Sequence, residues 1–207
     1  MTPQAALEQG LAELAQLTLP PGAPEKLLEY LELLAKWNRT YNLTAIRDPQ
    51  DMVVHHLLDS LAVVPHLPLA QDARLADAGS GAGLPGIPLA IARPRWHVAL
   101  AESSQKKAAF LRQAAIELAL GNVEVHEGRV EAWQPRPLFD LVISRAFAAL
   151  ADFLAACRHL VSSGGTLAAM KGAAPADAAP GCKLVRLRVP LLDAQRHLLL
   201  CPASSPS

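Results

Sequence analysis

The hydrophobic rhythm of the chain changes near residue 70. Before that point apolar positions recur at helical spacing. Leu7, Leu11, Leu14 and Leu17 form one stripe and predict a helix over 4–17. Pro20, Pro21 and Pro24 interrupt the pattern. Leu27, Leu31 and Leu34, with Tyr30 and Trp37 beside them, then predict a second helix over 25–38. Asp48, Pro49 and Asp51 read as the start of a third, with Asp48 as cap, Pro49 at the first position and Asp51 in the first turn. It continues through Val54, Leu57, Leu58, Leu61 and Val64.

Beyond residue 72 short apolar runs alternate with helical ones. Strands are predicted over 73–78, 97–102, 122–127, 138–144, 165–171, 183–189 and 196–201, with helices over 85–92, 103–120 and 146–161. Ser103 or Ser104 is placed to cap the middle helix and Gly121 to end it. Such alternation predicts a mainly parallel sheet with helices on both faces. The short polar connection over 192–195 makes the last two strands an antiparallel hairpin at the sheet edge, and the Ala/Pro-rich stretch 173–181 reads as a loop.

Composition narrows the classes. A 207-residue chain that is 51% apolar is long enough for one substantial core. No apolar run approaches the roughly 18 residues of a membrane span, so no membrane association is expected. Residues 1–16 are amphipathic and acidic, unlike a secretory leader. Cys157, Cys182 and Cys201 are far apart and odd in number, so neither a disulfide framework nor a metal site is expected, and the cytoplasm is the expected compartment. No amphipathic stripe is left over for a partner, which makes a monomer the default. The 19 basic and 19 acidic residues cancel, but residues 1–103 hold 7 and 11 of them and residues 104–207 hold 12 and 8. The C-terminal half can therefore present a basic face.

The strongest chemical signal is the segment 77–86, DAGSGAGLPG, between a predicted strand and a predicted helix. Glycines there let a nucleotide-like ligand approach bare backbone. Two ligands compete. Gly81, Gly83 and Gly86 match the dinucleotide fingerprint, with Glu102 placed to bind a ribose. Alternatively, Asp77 followed by Gly79, Gly81 and Gly83 is the acid-and-glycine loop of AdoMet-dependent methyltransferases, with Asp77 near the methionine part and Glu102 accepting from the ribose hydroxyls. Dinucleotide enzymes usually carry an apolar residue where Asp77 stands. Pro85 also removes an N–H that a pyrophosphate would want, which AdoMet does not need. The methyltransferase reading is the better one; a plain glycine-rich turn is the bland alternative.

Further segments point to one family. The stretches 37–46 (WNRTYNLTAI), 55–61 (HHLLDSL) and 77–88 resemble, in order, signatures of the RsmG (glucose-inhibited division protein B) family, guanine-N7 methyltransferases of bacterial small-subunit ribosomal RNA. Also similar are 102–111 (ESSQKKAAFL), 128–131 (GRVE), 139–146 (FDLVISRA), 170–172 (MKG) and 196–198 (RHL). Two features depart from the family pattern. Only eight residues separate Gly172 from Gly181, where a longer helix-bearing connection is usual, and the chain closes on CPASSPS rather than a basic end.

The resemblance implies a Rossmann-like class I AdoMet-dependent methyltransferase, an α/β fold with a seven-stranded mixed sheet. A helical segment over 1–70 would pack on an AdoMet-binding core over 71–201 within one domain. It implies S-adenosyl-L-methionine held by Gly79 and Leu84, with Val130 and Glu131 beside the adenine and Arg145 at the end of the fourth strand. Small-subunit ribosomal RNA, free or in the subunit, would be the partner. Arg145 and Lys171 are the catalytic candidates, and Arg129 and Lys171 the RNA-binding ones. Each of Arg145 and Lys171 could meet a carboxylate, a phosphate or guanine O6. Plainer readings pair Arg145 with Asp140 or Glu131, and make His55/Asp59 and His56/Ser60 structural i,i+4 pairs on one helix. Lys106 and Lys107 read as a solvated first turn, and Trp96, Phe110 and Trp133 as packing residues. The rivals in function are an RNA- or ribosome-binding protein without catalysis and an NAD-dependent oxidoreductase.

Overall fold

A computed structural model describes residues 1–147, 149–173 and 180–203. Most of the 173–181 loop expectation thus falls outside the described residues, as does the last stretch of the tail. The helical start of the chain comprises α1 (Pro3–Glu13), α2 (Ala23–Tyr41), α3 (Pro49–Met52), a π-helical segment (Val53–Leu58) and α4 (Asp59–Leu61). The core follows as β1 (Arg74–Ala78), α5 (Gly86–Ala92), β2 (His97–Glu102), α6 (Gln105–Glu117), β3 (Val123–Glu127), β4 (Phe139–Ser144), α7 (Leu150–Cys157), β5 (Val161–Lys171), β6 (Lys183–Leu187) and β7 (Arg196–Pro202).

All seven strands join one sheet in the order β3-β2-β1-β4-β5-β7-β6. The first five are parallel, while β7 runs antiparallel to both β5 and β6. The expected edge hairpin is therefore present. From β1 the chain winds outward through β2 and β3, then resumes on the other side with β4. That reversal opens a crevice at the carboxyl ends of β1 and β4, where open α/β sheets bind ligands.

Alternation along the strands assigns the two faces. Leu75, Val98, Leu100, Leu141 and Ile143 pack under α1, α2, α5 and α6. Ala76, Ala78, Ala99, Ala101 and Val142 face α7 on the other side, against Phe153 and Cys157. Alanines here keep α7 close to the sheet without crowding it. Trp96 and Phe110 are buried packing residues, as expected, and Trp133 is half-buried, stacked on His126 at 4.3 Å.

Local chemistry explains most boundaries. The Asp48 carboxylate accepts from the N–H groups of Gln50 and Asp51, at 2.9 and 3.0 Å, and so caps α3. Asn42 closes α2 in a left-handed conformation, and Asn38 Oδ1 accepts the Thr44 N–H at 2.9 Å to hold the next loop. Several expectations fail in detail. Helix α1 stops at Glu13, before its predicted end, and Leu17 packs outside it. Helix α6 stops at Glu117 because Ala119, with φ at 49°, makes the reversal expected of Gly121. Ser104 takes the α6 cap position, but its side chain makes no cap bond; Glu102 Oε1 accepts the Ser104 N–H instead. Strand β5 begins four residues early, at Val161, because a bulge at Gly164 (φ 83°) lets the chain pair on both sides of it.

The cysteine expectation is also corrected. Cys182 and Cys201 are disulfide-bonded, with Cα atoms 4.2 Å apart. They are brought together where β6 meets β7, one position beyond the Lys183–Leu200 pair. Cys157 stays free and buried. Among the described residues no helix is long and apolar enough to cross a membrane.

One buried bond ties the helical start to the core: the Tyr30 hydroxyl of α2 donates to the Ala82 carbonyl at 2.6 Å. Tyr30→Phe leaves that carbonyl without its donor in the interior. The expected loss is about 1–3 kcal/mol of unfolding free energy, measured by denaturant titration with an unchanged m-value.

Candidate active site

The glycine segment turns from β1 into α5 under the control of two carboxylates. Asp77 is fully buried, and its Oδ2 accepts the Gly86 N–H at 2.9 Å. A side chain on Gly86 would collide with Leu100 and with Asp77 itself, so only glycine lets helix and strand end approach this closely. Gly83 is equally constrained, with φ at 90° and Ile87 and Leu111 against its Cα. From the end of β2, Glu102 reaches across: its Oε2 accepts the Gly81 N–H at 2.9 Å. Each carboxylate oxygen has a second lone pair, so Glu102 keeps capacity for further donors.

Two neighbouring cavities open at the carboxyl ends of the strands and share Ala146 and Phe147. The smaller, about 200 Å³, is walled by Gly79, Ala101, Ser103, Gly128 and the segment 129–131, which carries Arg129, Val130 and Glu131. Small and apolar groups make the wall, and a carboxylate stands at the rim. The Arg129 guanidinium pairs with Glu131 at 2.8 Å and is largely exposed. Backbone hydrogen bonding, aided by Arg129, holds the Glu131 carboxyl below the usual carboxylate range.

The larger cavity, about 540 Å³, is of opposite character. Arg145, Lys171 and Arg196 line it, together with His55, His56, His197 and Asp59. Arg145 Nη1 donates to Asp59 Oδ2 at 3.2 Å and to the His55 carbonyl at 3.0 Å. Arg196 Nε donates to the other Asp59 oxygen at 3.0 Å. The Lys171 ammonium donates to the Phe147 carbonyl, bracing the partition between the cavities. His56 bonds Thr44 Oγ1 at 3.0 Å. Burial, then the Arg145 charge, pushes its pKa down to about 4, so the ring is neutral near pH 7.

The structure therefore sorts the sequence candidates. Gly79, Arg129, Val130 and Glu131 meet in one cavity, and Arg145 and Lys171 in the other. Asp77, Gly81, Gly83, Leu84 and Glu102 line neither; they give the loop its shape. Arg145 pairs with neither Asp140 nor Glu131, since the Asp140 carboxylate takes the Arg74 N–H instead. The His55/Asp59 pair expected on one helix does not form. A π-helical turn intervenes, in which the Asp59 N–H reaches back to the Val54 carbonyl. Both residues line the larger cavity, where the Asp59 carboxylate is taken up by Arg145 and Arg196 instead. Ser60 bonds the His56 backbone carbonyl rather than its ring. Arg196 is a residue that sequence reasoning missed, and Asp59 was read only as half of a structural pair. Both lie inside family-like segments, 55–61 and 196–198, and no spacing rule pairs them.

Burial raises the Asp77 pKa from 3.8 to about 7, and the Gly86 N–H offsets this only in part. The fold thus favours the neutral acid. Its contribution to stability is complete below the unfolded value and is lost as pH rises toward about 7. Asp77→Asn keeps an oxygen for Gly86 and cannot ionise. Unfolding free energies measured between about pH 4 and 7 should fall with pH less steeply in this variant than in the parent chain.

Comparison with known proteins places the sequence and the fold. The Ribosomal RNA small subunit methyltransferase G of Methylobacillus flagellatus is 52% identical over 205 residues, spanning 97% of this chain and 98% of that protein. Its counterpart in Burkholderia thailandensis is 51% identical over 210 residues, spanning 96% of this chain and 90% of that one. A SAM-dependent methyltransferase structure from Aquifex aeolicus superposes with a TM-score of 0.56 at 15% identity, covering 83% of this chain and 98% of its own, and so shares the fold. The GidB family profile, rRNA small subunit methyltransferase G, matches residues 23–183. With a fold, a crevice and near-full-length relatives in agreement, the chain belongs to the GidB family, rRNA small subunit methyltransferase G.

Proposed function

We propose that this chain transfers the methyl group of S-adenosyl-L-methionine to N7 of a specific guanine in small-subunit (16S) ribosomal RNA. The observation that carries the reading is the pair of cavities meeting at Ala146 and Phe147, one small and carboxylate-rimmed, the other lined by cations. The adenine of the cofactor is assigned to the first, which at about 200 Å³ takes a base rather than the whole molecule. Gly79, with φ at 72°, leaves bare backbone toward it, while Ala101 and Val130 offer an apolar wall for a base. Gly79, Val130 and Glu131 make the contacts there, and Arg145 meets the cofactor from across the partition. Asp77, Gly81, Gly83, Leu84 and Glu102 hold the loop that receives the cofactor, and Glu102 has lone pairs left for ribose hydroxyls.

When bound, the cofactor supplies an electrophilic sulfonium methyl. Guanine N7 carries a lone pair and needs no deprotonation before attack. The residues therefore have to orient rather than abstract a proton, and alignment alone supplies a large share of such a rate. His56, neutral and bonded to Thr44, serves the wall and not proton transfer. Arg145, Lys171 and Arg196 line the cavity that takes the nucleotide, where they meet phosphate and guanine O6. Arg129, at the mouth of the smaller cavity, is placed for a flanking phosphate.

One apolar cluster joins Leu27, Leu34 and Leu57 to Leu75 and Leu100, which supports the helical start and the core acting as one domain. A monomer working in the cytoplasm beside ribosomal subunits completes the proposal.

Small ribosomal subunits from cells lacking this gene, incubated with the protein and labelled cofactor, should gain label at N7 of a guanine. No label with the cofactor bound would support the catalytically silent RNA-binding alternative. Arg145→Ala should lower transfer by about 10²-fold or more, with its circular dichroism spectrum retained. Parent-like activity would remove Arg145 from the mechanism.

A further inference from the structure

Among the described residues lining the larger cavity, Asp59 is the single carboxylate. Its side chain is 4% exposed, and its two oxygens are divided between two arginines from different elements. Arg145 follows β4, and Arg196 begins β7. Each guanidinium also has a backbone anchor: Arg145 Nη1 on the His55 carbonyl at 3.0 Å, Arg196 Nη1 on the Gln195 carbonyl at 2.9 Å. The planes of both are thereby fixed. Even so, the two side chains remain 30% and 24% exposed, so both still reach the cavity.

The chemistry of a guanine acceptor gives this arrangement a purpose. An arginine free to swing grips guanine with a fork of two N–H donors, one on O6 and one on N7. Methyl transfer at N7 needs that lone pair open to the incoming carbon. An arginine gripping in this way would bind the base well and block the reaction. Arginines whose donors are already committed to a buried carboxylate cannot swing into that grip.

We propose that Asp59 is a positioning residue for the transfer: it holds Arg145 and Arg196 in fixed orientations, so that they meet guanine O6 and the flanking phosphate while N7 stays open. Two guanidiniums and one carboxylate leave a net positive charge, so attraction for RNA persists. This inference rests on the guanine-N7 reading above.

The test is steady-state transfer to small ribosomal subunits by Asp59→Asn, with cofactor affinity measured separately. The amide keeps one oxygen to accept but turns an NH2 toward the other guanidinium, so the two arginines are no longer held as a pair, and the cavity becomes more positive. The expected result is a kcat lowered by about tenfold or more, a KM for subunits unchanged or lower, and a cofactor Kd within about twofold of the parent. A smaller fall in kcat, a loss carried by a raised KM, or a parallel loss of cofactor affinity would overturn the proposal. Should Asp59→Asn fail to fold, Arg196→Lys decides, because it keeps the charge but loses the planar fork. It is expected to show the same fall in kcat with KM retained, and parent-like kcat would overturn the proposal. If the parent protein labels no guanine N7, the functional reading fails and this inference with it. If the parent labels and both variants match it, the positioning role alone is refuted.

Discussion

Buried carboxylates bonded to backbone N–H groups are the constraint on which the site depends. The segment between β1 and α5 has little side-chain bulk with which to hold a shape, since glycines stand at 79, 81, 83 and 86. Its conformation is imposed by Asp77 on Gly86 and by Glu102 on Gly81. In a low-dielectric interior such hydrogen bonds are strong and directional. The cost appears in Asp77, whose pKa climbs because burial outweighs the single N–H it receives. A backbone held by groups beneath it leaves its outer side bare, as a ligand of close fit requires.

The helical start of the chain contributes more than packing. Through Tyr30 it touches the glycine segment, and through His55 and Asp59 it reaches the end of β4. Residues on the sheet and residues on the added helices thus share one cavity. That division has a consequence for specificity. The smaller cavity is built wholly from the sheet and its loops, whereas the larger one needs the helices to be complete. A common α/β core can keep its cofactor side while the added segment shapes the side that meets the acceptor.

How much of this could be read from the chain follows from the range of each interaction. The central strands were readable because burial on both faces writes itself as short apolar runs, as in β1, β2 and β4. The Asp48 cap was readable too, being a pair of local hydrogen bonds. Contacts that depend on tertiary placement were not. Cys182 and Cys201 lie 19 positions apart and meet only through antiparallel pairing at the sheet edge. Asp59 and Arg196 are 137 positions apart, and the π-helical turn breaks the 3.6-residue periodicity on which the His55/Asp59 expectation relied. Arg145 and Lys171 reached the candidate list through family resemblance, and the structure adds what surrounds them.

The central claim is that methyl donor and acceptor meet at the partition formed by Ala146 and Phe147. The most direct measurement is a crystal structure of the chain with S-adenosylhomocysteine, the product that keeps the sulfur. The account predicts adenine against Ala101 and Val130, and the sulfur at the partition, facing the cavity of Asp59, Arg145 and Arg196. Adenine seated instead among those arginines, or a sulfur turned away from them, would contradict it.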